Sequence, residues 1–143
     1  MAFTQMLHDY GESVERETMT VLASDTRSAG DVVYWTLGEN GPVDVTITST
    51  AAVNMIGVWA QDCASGDRGL IVIKGPVTAT VTSGSFTAGN GIEVDGANIE
   101  DSGGSFSGCV GESSTDFAVA LEDGTTVTEL DICLAGGPFT STN

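Results

Sequence analysis

The chain has 143 residues and a formal net charge of −16, from 20 Asp and Glu against four Lys and Arg, with 19 glycines, three cysteines and one histidine. That balance leaves no basic footprint for phosphates, so nucleic acid is excluded as a partner, and an anionic membrane surface is disfavoured for the same reason. The length suits one domain with its own core, which needs no metal or disulfide staple.

No stretch approaches the ~20 apolar residues of a membrane span. The start, Met1 to Tyr10, has neither the basic nor the continuous apolar run of a secretory signal. Synthesis and folding in a reducing cytoplasm are therefore expected. Cys63, Cys109 and Cys133 show no CxxC spacing and read as buried or half-buried free thiols. The acidic surface favours solubility and a basic partner, or a salty setting that screens self-repulsion.

Residues 1–17 read as an N-terminal arm ahead of a β domain over 18–143. Phe3, Met6, Leu7 and Tyr10 form a rough helical stripe capped by Thr4, and Gly11 interrupts it before Glu12, Glu15, Arg16 and Glu17. So short a helix is marginal alone and becomes ordered only against its own domain or a neighbour.

Strands are then expected at 18–23 and 32–36, the second following the turn Ser28-Ala29-Gly30-Asp31. Gly38 to Pro42 closes a hairpin into Val43–Thr48, whose alternation predicts Val43, Val45 and Ile47 as the buried face. Val53–Ala60 follows, with Gly57 marking a bulge or a close backbone approach. After a polar loop at 61–69, Leu70–Ile73 reads as a central strand. Val77–Thr82 alternates Val77, Ala79 and Val81 against three threonines. Further strands are expected at 92–94, 98–99, 106–110, 117–121 and 127–134, then a loose tail. Nothing holds a helical period for long, so the fold class is all-β: a small barrel or sandwich, β-tulip-like, of short antiparallel strands.

The opening phrase recurs. Ser28-Ala29-Gly30-Asp31-Val32-Val33 is echoed by Thr87-Ala88-Gly89-Asn90-Gly91-Ile92, 59 residues on. Each phrase leads to an apolar strand ending in a Gly-Pro corner, at Gly75-Pro76 and Gly137-Pro138. Two related β units in tandem, 18–82 and 83–138, are the reading; one barrel and two lobes both remain open.

Chemistry is sparse. His8 is the sole histidine and lies in the arm, so no triad or Cys–His pair can be assembled. Glu100-Asp101 and Glu122-Asp123 are candidate paired carboxylates, but both sit in turn-like sequence where acids are usually solvated. Asp95 to Asp101 offers oxygen ligands without the order of a calcium loop. Trp35, Trp59, Tyr34 and Phe117 would make a sugar platform if exposed, but their apolar strands point to core packing. The expectation is a protein that is not an enzyme, carries no catalytic residues, metal or other cofactor, and works by binding another protein.

Ser28–Tyr34, Met55-Ile56-Gly57-Val58-Trp59-Ala60, Ser65-Gly66-Asp67 and Leu70–Gly75 together resemble the motif series of tailed-bacteriophage capsid decoration (cement) proteins. The match spans residues 18–82 and recurs faintly over 88–136; Trp59-Ala60-Gln61 and the second unit depart from the pattern. The resemblance implies a structural virion protein on the outer capsid surface, made in the host cytoplasm. It implies the major capsid protein as partner, self-association as a homotrimer, and cementing of adjacent capsomers against internal DNA pressure. Phe3, Met6, Leu7, Tyr10 and Arg16 are the candidate residues for the capsid or neighbour-subunit contact. The alternatives are a carbohydrate-binding or adhesin-like module, a carboxylate hydrolase, and another virion component such as a tail-tube or fibre domain.

Overall fold

Two turns start the two halves of the fold in the same way. Asp31 N donates to Ser28 O at 3.0 Å with Gly30 at φ 98°; Asn90 N donates to Thr87 O at 3.0 Å with Gly89 at φ 87°. A positive φ at the third residue of a β-turn is what glycine supplies without strain. A Cβ at Gly30 would also lie 2.5 Å from Thr80 Oγ1, whereas one at Gly89 would meet nothing within 4 Å. Each turn is anchored from a distance by equivalent groups. Gly30 N donates to Trp59 O and Gly89 N to Ala120 O, both at 2.8 Å. Ala29 N donates to Asp62 Oδ1 at 2.9 Å and Ala88 N to Asp123 Oδ1 at 2.8 Å.

The structure is a computed structural model that describes residues 16–47, 55–106 and 116–135. Within them it is all-β, with nine strands: β1 Glu17–Leu22, β2 Val32–Gly38, β3 Gly41–Thr46, β4 Met55–Trp59, β5 Arg68–Phe86, β6 Asn90–Asp95, β7 Asn98–Ser105, β8 Ala118–Ala120 and β9 Gly124–Leu134. The sheet order is β1-β3-β2-β4-β5-β9-β8-β6-β7, and a further β1–β5 pairing closes the first five strands into a small barrel. The ladders are antiparallel except β1–β3, which is parallel at Leu22↔Val43.

The pairing of the second half repeats that of the first. Val32↔Val58 corresponds to Gly91↔Val119, and Val58↔Val72 to Val119↔Cys133. Strand β5, 19 residues long, serves both halves. Its first part completes the barrel beside β1 and β4, and after Gly75-Pro76 its second part pairs with β9. There it runs beside β7 as β1 runs beside β3. Among the described residues no ladder joins β5 to β7; instead Asn98 Oδ1 accepts from Thr82 N at 3.0 Å. The second half is thus a barrel left open along one seam.

Two apolar clusters form the core. Val21, Ala23, Val33, Trp59, Cys63 and Ile71 fill the first barrel. The second cluster joins Ile92, Ile99, Phe117, Leu130 and Ile132 of the second half to Tyr34, Val58 and Val72 on the outer side of β2, β4 and β5. The two halves therefore share one core.

Several sequence expectations need correction. In β3 the phase is inverted: Asp44 is buried and Val45 is 43% exposed, although Ile47 is buried as expected. The runs at 70–73 and 77–82 are one strand rather than two. Leu70 is 39% exposed while Ile71 and Val72 are fully buried. The strand expected at 98–99 extends to Ser105, and Phe106 lies beyond it; 107–110 are outside the described residues. Other expectations hold. Val77, Ala79 and Val81 are all buried. Gly57 is a close approach, since a Cβ there would sit 2.6 Å from Ile71 Cδ1.

Candidate functional site

The strongest electrostatic feature lies inside the first barrel. The inverted phase of β3 turns Asp44 inward, and the turn after β1 carries Arg27 to meet it. Arg27 Nε donates to Asp44 Oδ2 at 2.6 Å in an ion pair whose side chains are 8% and 0% exposed. Trp59 Nε1 donates to the same oxygen at 2.9 Å. Ser24 N and Ser24 Oγ both donate to Asp44 Oδ1 at 2.7 Å. Arg27 Nη2 reaches Thr46 Oγ1 at 3.1 Å and Ser24 Oγ at 3.3 Å. Burial alone would raise the Asp44 pKa, but the bonds from Arg27, Ser24 and Trp59 outweigh it and hold the carboxyl below its ordinary value. An acid so enclosed is a structural anchor, because substrate has no route to it.

Three of the four acids weighed for catalysis have similar structural duties. Asp123 anchors the second turn, and Glu122 Oε1 accepts from Asp131 N at 3.0 Å. Asp101 accepts from Thr87 N at 2.9 Å, Gly103 N at 2.7 Å and Asn90 Nδ2 at 3.0 Å. Burial pushes its pKa up, and these bonds outweigh that to lower it. Glu100 faces Glu93 across the β6–β7 ladder; burial and the charges of Asp95 and Glu93 push its pKa up. Among the described residues no group of three or more His, Cys, Asp and Glu could hold a metal ion.

The aromatic residues face the core rather than a ligand. Trp59 is fully buried, Phe117 is 2% and Tyr34 7% exposed, and Trp35 is half-buried against the first cluster. Cys63 is buried and Cys133 half-buried, both as free thiols. Burial, then the charges of Asp67 and Asp44, pushes the Cys63 thiol up; burial does the same at Cys133. Raised thiols stay protonated and are poor nucleophiles. A cleft of about 240 Å³ separates the halves, lined by Arg27, Thr46, Thr80, Thr82 and Asn98 among others.

Of the binding residues read from the sequence, Phe3, Met6, Leu7 and Tyr10 lie outside the described residues. Arg16 is exposed immediately before β1. The Arg27–Asp44 pair was missed. Its only sequence signal is a carboxylate midway along an alternating Val-x-Val-x-Ile strand, which reads as the solvent face.

No protein-family model matches the chain, and no curated protein matches it. Among solved structures, the chain is similar to the N base of head fiber gp8.5 in bacteriophage phi29, at 13% sequence identity and a TM-score of 0.55, over 85% of this chain and 95% of that one. At that identity the likeness shows a shared fold.

Proposed function

We propose that this chain is a structural protein of a tailed-phage virion that sits on the outer surface of the head. Its role there is to bridge adjacent capsomers of the major capsid protein and hold them against the pressure of packaged DNA. The observation that carries the reading is the fold shared with a phage head fiber base across nearly the whole of both chains. The segments that resemble decoration-protein motifs lie on the strands and turns of the first barrel, which agrees with it. So does the chemistry: the acids weighed for catalysis mostly serve as hydrogen-bond anchors, and the surface carries a charge that repels DNA. The protein acts by binding and not by catalysis, without metal or other cofactor.

A homotrimer bridges several capsid subunits at once, so avidity turns a modest contact into a durable one. The arm supplies part of that contact through Phe3, Met6, Leu7, Tyr10 and Arg16. Deleting residues 1–16 should leave the barrels folded by circular dichroism and abolish co-sedimentation with expanded capsids of the source phage. Undiminished co-sedimentation of the truncated chain would remove the arm from the contact. A second reading keeps the chain on the head and makes it the base of a fibre, which the description of the phi29 protein favours.

A further inference from the structure

The first barrel has an outer face unlike the rest of the molecule. All four cations of the chain belong to the first half. Arg27 is buried, and the three exposed ones line one ribbon: Arg16, before β1, and Lys74, opposite Glu17, stand at one end, and Arg68, opposite Leu22, at the other. Among the described residues, the large exposed hydrophobic residues belong to the same barrel: Val45 at 43% and Leu70 at 39% on its outer side, and Leu37 at 72% beside the β2–β3 turn, on the side of β2 that carries Trp35. Leu70 and Val45 are linked through β1. Leu70 pairs with Thr20, and Leu22 pairs with both Arg68 and Val43, two residues from Val45. Arg68 Nη2 donates to Asn40 O at 2.8 Å, which places it over the β2–β3 turn near Leu37. On the outer side of the barrel, β1 presents Thr18, Thr20 and Leu22 and β3 presents Val43 and Val45; the carboxylate on this side of β1, Glu17, lies opposite Lys74 at the start of the strand. The outer sides of β2, β4 and β5 are instead covered by the second half at Tyr34, Val58 and Val72, which leaves Arg68 and Leu70 at the start of β5 exposed.

We infer that this β1–β3–β5 face is where the molecule docks on the capsid shell, with the acidic second barrel held away from it. The inference rests on the proposed virion role. Its partner is a protein surface with an apolar centre flanked by carboxylates. In a chain of net charge −16 the approach of another protein is least opposed where carboxylates are few and cations present. The apolar residues exposed there supply the buried area that binding requires. The second barrel has ten carboxylates and no Lys or Arg from Ala88 onward, which suits it to water.

The test is quantitative co-sedimentation of the full chain with expanded capsids of its source phage, beside its mass in solution. Val45→Glu with Leu70→Glu should weaken binding at least tenfold, and so should Thr20→Glu, an exposed position whose change leaves the core untouched. Glu100→Gln and Glu129→Gln, on the second half, should bind as the parent does. Parent binding with unchanged binding of all face variants would overturn the assignment of the face and leave the virion role standing. A face variant that splits a parent oligomer yet still binds capsids would make the face a self-contact and also overturn it. Failure of the parent chain to bind would remove the shell as partner and both readings with it.

Discussion

Asp44→Ala should lower the unfolding free energy by about 3–5 kcal/mol, because it leaves the Arg27 guanidinium buried without its counter-charge. Arg27 and Asp44 are 8% and 1% exposed, so water cannot replace the lost partner. The substitution also strips acceptors from Trp59 Nε1 and from the N–H and hydroxyl of Ser24. A double change, Arg27→Met with Asp44→Leu, should recover part of the loss, since a buried pair replaced by apolar groups of similar volume is often near neutral. Recovery should remain partial, because Trp59 Nε1 and Ser24 N still lack an acceptor. Urea denaturation of the parent and the two variants measures this directly; an Asp44→Ala loss below about 1 kcal/mol would mean that the pair is solvated in solution.

The same pair sets a pH dependence. The Asp44 carboxyl is held below its ordinary value in the folded state. Its contribution is therefore complete above the unfolded carboxylate pKa of about 4 and is lost as pH falls through the lower folded value. Asp101 is shifted in the same direction and adds to the acid sensitivity. Stability should fall steeply below about pH 4, and Asp44→Ala should flatten that fall.

Phe117→Ala should cost about 3–5 kcal/mol, the usual loss for a buried phenylalanine. Phe117 is 2% exposed, and its backbone ties β6 to the end of β9: its N donates to Ile92 O at 2.9 Å and its O accepts from Ala135 N at 3.1 Å. It belongs to the same cluster as Tyr34, Val58 and Val72 of the first barrel. The loss should therefore appear as one cooperative transition that moves as a whole. Calorimetry that resolves two transitions, with only one shifted by Phe117→Ala, would show that the halves fold separately.

What could be read from the sequence was mostly local. Gly30 and Gly89 mark their turns because a positive φ leaves a residue-level trace. Val77, Ala79 and Val81 mark a buried face because nothing charged interrupts their alternation. The same rule fails at β3 because the barrel interior is polar there: Asp44 points inward to Arg27, 17 residues away, and no spacing rule links them. Gly75-Pro76 reads as a corner because both residues commonly end strands, yet the ladder continues through it on the β9 side. The gathering of cations was equally hidden. Arg16, Lys74 and Arg68 line one ribbon only through the β1–β5 register, which closes the barrel and leaves no local signal. The arm residues Phe3, Met6, Leu7 and Tyr10 carry the sequence argument for binding, and Arg16 shows where that arm enters the fold.

The central claim is a place on the outside of a phage head. Cryo-electron microscopy of expanded capsids incubated with this chain tests it most directly. The account predicts added density on the outer shell between capsomers, at threefold positions, with the β1–β3–β5 face against the shell. Capsids that bind nothing after incubation with excess protein would contradict it.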